Sequence, residues 1–107
     1  MRKSIVAVLL IMIATIPRMG VSQSNHSVPV PKDGFVPSAA TAVTIAEAVL
    51  IPIYGRENIR SQKPFEVKKT GEKWIVNGTR RKGWVGGIAT IEIARTDGRI
   101  LRVSHSK

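Results

Sequence analysis

The chain has 107 residues, with 17 Lys and Arg against 7 Asp and Glu for a net charge of +10, and no cysteine. That length gives one domain. The lack of cysteine excludes disulfides, a thiol nucleophile and a lipidated cysteine anchor. The basic balance suits an acidic protein, an anionic envelope surface or nucleic acid as partner, and it also serves plain solubility.

The first element is a targeting segment. Arg2 and Lys3 precede an almost wholly apolar run over residues 5–16, Pro17 breaks it, and "RMGVSQS" follows. A positive end, an apolar centre and small residues (Gly20, Ser22) are the layout of a secretory signal peptide cleaved before Gln23. The run of 12 residues is short of the roughly 20 that a membrane span needs. Residues 1–22 are therefore expected to be removed, and the mature protein is expected in the periplasm without a stable membrane anchor. The mature chain loses three cations and no acid, so its charge falls from +10 to +7. Export argues against nucleic acid as partner.

Residues 23–36 contain Pro29 and Pro31, are rich in Ser and Asn and show no periodicity. They read as an extended arm or linker ahead of a domain at 37–107. Ser38 is a good N-cap. From it Ala42, Ile45, Ala46, Val49, Leu50 and Ile53 recur at spacings of three and four, which makes one apolar helix face. Thr41, Thr44, Glu47 and Ala48 fall opposite. Pro52 lacks an amide proton and clashes one turn back, so the helix is expected to end or kink near Ile51. Gly55 then turns the chain at positive φ, and "RENIRSQ" adds one helical turn anchored by Ile59.

After Pro64 the period changes to two. "PFEVKKT" alternates as a half-buried strand. "KWIVNGT" puts Trp74 and Val76 on one face. "GGIATIEIART" puts Ala89, Ile91 and Ile93 on one face, with Thr90 and Glu92 on the other. Asp97-Gly98 is a hairpin signal, leading to "RILRVSH" with Leu101 and Val103 on a shared face. The fold class is α+β: an N-terminal helix packed on a curved four-stranded antiparallel meander.

No catalytic constellation is present. His26 and His105 are far apart and lack carboxylates at metal-ligand spacing, so neither a metal nor another cofactor is expected. Glu47 and Glu92 lie on polar faces and read as solvated charges. "GTRRKGWVGG" joins Arg80, Arg81 and Lys82 to Trp84 among four glycines. It leads into a strand and not a helix, which excludes a phosphate-binding loop. Arg beside Trp is what protein-binding hot spots favour; a strand connection with Trp84 folded back on the sheet accounts for it equally.

The succession "AEAVLIPIYGRENI", Pro64-Phe65, Trp74 with Gly78, Gly86-Gly87 and the Asp97-Gly98 hairpin resembles the bacterial immunity proteins with a nuclear-transport-factor-2-like fold, over residues 36–107. The resemblance implies a helix packed into a strongly curved sheet, and a protein that protects a bacterium by binding and blocking a toxin, without catalysis. A mature chain of 85 residues is short for the full cone-shaped architecture, so some of that fold's helices are expected to be missing. The implied partner is a toxin, acidic on its contact surface and acting in the envelope. The residues expected to meet it are Tyr54, Arg56, Arg80, Arg81, Lys82 and Trp84. Two other functions stay open: a PepSY-like envelope domain that binds peptides or modulates peptidases, and an enzyme or ligand carrier using the cavity of the curved sheet.

Overall fold

The structure is a computed structural model and describes residues 26–107. The signal peptide read over residues 1–22 lies outside the described residues. Among the described residues the order is α1 (Ala39–Tyr54), α2 (Arg56–Ser61), β1 (Glu66–Thr70), β2 (Lys73–Asn77), β3 (Ala89–Ala94) and β4 (Ile100–His105). The four strands form one antiparallel sheet in the order β1-β2-β3-β4. The helix followed by a meander is the α+β arrangement expected from the change of period.

Ser38 caps α1 as its side chain predicts: it stands in extended backbone and its hydroxyl accepts from the Thr41 amide at 3.3 Å. Ala42, Ala46 and Leu50 are fully buried against the sheet. Two alanines in the contact stripe let the helix approach closely, and Leu50 then fills the space between backbones. Burying a leucine side chain contributes about 2 kcal/mol. From the sheet, Trp74, Val76, Ala89, Ile91 and Ile93 meet this stripe, all on the face that alternation assigns them. The core is closed at one end by Val36, the last residue of the segment read as an arm. It is 1% exposed, its amide donates to Arg95 O, and its carbonyl accepts the Trp74 indole N–H at 2.8 Å.

The structure corrects three expectations. First, α1 does not stop near Ile51. It continues through Pro52 to Tyr54, and the amide of Gly55 bonds back to Ile51 O at 2.8 Å. One proline ring in the last turn removes a single ladder bond, and the exposed side of the helix gives it room. Gly55, at φ 92 and ψ 145, makes the actual stop, in a region open essentially to glycine alone. Second, Ile53 is 54% exposed; the helix overshoots the part of the sheet that could cover it. Third, Leu101 does not share a face with Val103. Ile93 pairs with Ile100 and Glu92 with Arg102, so Leu101 is an extra residue in a β-bulge. It lines the open face of the sheet together with Thr70, Lys73 and Ala94.

Glu92 is not a freely solvated charge. Its side chain is 17% exposed and accepts from Lys73 Nζ at 2.8 Å. That hydrogen bond, with the positive charges of Lys73 and Arg102, holds its carboxyl below the usual value against the opposing effect of burial.

Candidate functional site

The β2–β3 connection, residues 78–88, is fastened at both ends by one buried residue, through its side chain at one end and its backbone carbonyl at the other. Gln62, at the C-terminus of α2, is 1% exposed. Its Oε1 accepts from the Ala89 amide at 2.8 Å, its Nε2 donates to Asn58 Oδ1 at 3.0 Å, and its backbone carbonyl accepts from the Thr79 amide at 2.8 Å. The Thr79 hydroxyl donates to Pro64 O, and the Gly78 amide to Ala89 O. The loop thus leaves the sheet and returns to it beside the same glutamine. Sequence reasoning passed over Gln62 because a single polar residue after a short helix carries no local pattern.

Between these anchors the loop satisfies itself. Arg80 Nη1 donates to Gly86 O at 2.8 Å, the Trp84 amide donates to Arg81 O, and the Trp84 indole donates to Gly87 O at 3.2 Å. Trp84 is half-buried within the loop. The cations divide accordingly. Arg80 closes the loop, while Arg81 and Lys82 stay on its exposed tip with Val85, whose side chain is 95% exposed.

Tyr54 belongs to the same end of the domain. Its ring lies 4.9 Å from that of His105, tilted by 32°. His105 sits where β4 comes closest to the loop. The Ser106 amide donates to Ile88 O at 3.0 Å, and a Cβ on Gly87 would stand 2.8 Å from His105 Cε1 and 1.5 Å from Ser106 O. Only a residue without a side chain lets the two chains meet there. The surface therefore runs from Tyr54 through His105 to the loop tip. Arg56 stands elsewhere, in a cleft of about 60 Å³ between α1 and α2 with Glu47, Arg60 and Lys63. Lys63 bonds Glu47 there at 2.8 Å.

The charge on this end is one-sided. From residue 77 onward the acids are Glu92 and Asp97, and both are engaged, with Lys73 and Arg99. Arg80, Arg81, Lys82 and Lys107 form no ion pair among the described residues. In the same set no three His, Asp or Glu side chains gather where they could hold a metal ion, and no helix is long and apolar enough to cross a membrane. The surface offers cations, an aromatic pair and an exposed valine.

A family model described as NTF2 fold immunity protein matches residues 41–107. The chain is 36% identical over 73 residues to the uncharacterized protein YhhH of Escherichia coli (strain K12), covering 67% of this chain and 58% of that protein. It is 30% identical over 73 residues to the uncharacterized protein YbbC of the same strain, covering 67% of this chain and 60% of that one. The chain thus spans about three fifths of the length of these curated relatives. No solved structure matches it.

Proposed function

The chain belongs to the NTF2 fold immunity protein family, and from that premise we propose that it is exported to the periplasm and neutralises a cognate toxin by occluding it. The family match over residues 41–107 supports the immunity part of this reading over the PepSY-like alternative, and the charged and apolar pattern at the N-terminus supports its export. The basic end of the domain supports an acidic contact surface on the toxin, reached through Arg81, Lys82 and Val85 on the tip and through Tyr54 at the helix end.

The loop's internal bonds separate two kinds of residue. Arg81 and Lys82 are exposed, so on this reading they steer the encounter, and their removal slows association and flattens its salt dependence. Arg80 and Trp84 hold the loop in shape, so their removal speeds dissociation. The test is surface-based binding kinetics with the product of a neighbouring toxin gene, comparing wild type, the Arg81→Ala/Lys82→Ala pair and Trp84→Ala. Growth of cells expressing that toxin in the periplasm is measured in parallel, with the intact mass of the exported protein. Rescue by the exported protein, lost or weakened in the variants, supports the reading. Unchanged kinetics in both variants remove the loop from the interface. A mass that still includes residues 1–22, with the protein held in the membrane, removes the export.

A further inference from the structure

Among the described residues both outer strands of the sheet have one unpaired side, and they differ in how that side is protected. β1 reads "EVKKT": three charges in five residues, with Pro64 two positions before it. Charges and a nearby proline are the usual means of blunting an edge against further strands. β4 reads "ILRVSH", with one charge, and it leaves Ile100 38% and Leu101 43% exposed. Its one deterrent is the bulge at Leu101, which affects only the start of the strand.

The direction of the free backbone groups follows from the register. Ser106 donates its amide to Ile88 on the β3 side. Backbone groups alternate sides along a strand, so Ser104 and Arg102 also face β3, their partners there being Thr90 and Glu92. The amides and carbonyls of Val103 and His105 face outward, and no described strand takes them. An added strand would bond to both residues and lie along the apolar side of β4, beside the Tyr54–His105 pair. A second copy of the chain is a poor occupant. Pairing β4 with itself brings together two sets of Arg102 and Lys107, on domains whose described residues carry +7 each. Acidic flanks on the added strand are matched instead by Arg102, Lys107 and the loop tip.

We propose that the outer edge of β4, at Val103 and His105, receives a β-strand of the toxin, apolar at alternate positions and acidic at its ends. This rests on the immunity reading and names the means of recognition: main-chain bonds for affinity, charge for choice of partner. The probe is a short synthetic peptide alternating valine and threonine with two aspartates at each end, followed by amide hydrogen exchange in the full mature chain. The expected result is exchange slowed by about tenfold or more at Val103 and His105, the local opening that exposed edge amides otherwise undergo being suppressed. The same peptide ended with lysines, or N-methylated at alternate amides, is expected to give no protection. Val103→Pro, which removes an outward amide, should abolish the effect, and Val103→Ala should keep it. N-methylation of the peptide asks the same question should the proline variant not fold.

Protection on β1 instead of β4, equal protection by the lysine-ended peptide, or none at all overturns the proposal. So does protection that appears without peptide and grows with protein concentration, which would assign the edge to a second copy. Rescue of toxin-expressing cells separates the two layers. Rescue with no peptide protection removes the edge and leaves immunity standing. Peptide protection with no rescue overturns the toxin as the source of the strand.

Discussion

Replacing Gln62 by leucine tests whether one side chain holds the loop to the sheet. The two side chains are similar in size, so the change removes polarity with little change of volume. Oε1 is the acceptor for the Ala89 amide at 2.8 Å, and Ala89 is fully buried. In Gln62→Leu that amide has no partner and no route to water. A buried unsatisfied donor costs about 1–3 kcal/mol. Asn58 is half-buried and can recover water, so its lost bond adds little. The expected loss is about 2 kcal/mol, and with about 4–8 °C of Tm for each kcal/mol in a domain of this size the midpoint should fall by about 8–16 °C. Thermal unfolding followed by circular dichroism gives the number, and amide exchange gives its location. The Ala89 amide should lose protection before those at the centre of β2 and β3, while Thr79, which bonds to the Gln62 backbone carbonyl, should keep its own. A Tm within a degree or two of wild type, with Ala89 still protected, would refute the anchoring role.

Three other perturbations bear on the helix end and on the sheet. Pro52→Ala restores an amide that can bond to the preceding turn of α1. It is expected to gain about 1 kcal/mol after allowing for a more flexible unfolded chain, read as a higher Tm; a lower Tm would show that the ring packs in a way that matters. Gly55→Val forces a β-branched residue to φ 92 where a Cβ meets nothing within 4 Å, so its cost, about 1–3 kcal/mol, is backbone strain alone, and Gly55→Ala should lose a similar amount in a urea melt. Glu92 has a carboxyl held below its ordinary value, chiefly by the Lys73 hydrogen bond. A depressed folded-state pKa gives stability that is present above the unfolded value and lost as pH falls through the folded one. Glu92→Gln should therefore flatten the acid side of the urea-midpoint profile, and an unchanged profile would show that the Lys73 pair contributes nothing.

What could be read from the chain was whatever is local and periodic. Alternation placed Trp74, Val76, Ala89, Ile91 and Ile93 on the buried face, and Ser38 marked the start of α1. Those assignments depend only on a residue and its near neighbours in sequence. Leu101 was misplaced because a bulge is a property of two strands in register, and "RILRVSH" alternates well when read alone. Pro52 misled for a related reason. A proline weakens a helix by removing one bond, but whether the helix ends depends on the packing beyond it, and Tyr54 is half-buried against the core and His105, so the turn continues. Gln62 bonds a residue far along the chain, so no motif announces it. The cations of the loop were visible, but Arg80 could not be told from Arg81 until the loop closed on Gly86.

That difference between neighbouring arginines bears on how such a loop could bind. Three consecutive cations on a solvated chain repel each other, and a partner would have to order the chain as well as neutralise it. Ordering costs about 1–2 kcal/mol for each residue fixed, which would consume much of a modest interface's gain. Here the Gln62, Arg80 and Trp84 bonds fix the loop before any partner arrives, and they leave Arg81, Lys82 and Val85 projecting from a set backbone. A preorganised contact keeps more of its interaction energy as affinity. Long-range charge then acts on the approach of an acidic partner, and the shaped apolar and aromatic surface acts on how long it stays. On the proposed reading, mutations in the two sets should therefore separate in the kinetics even though the residues alternate along the same short stretch of chain.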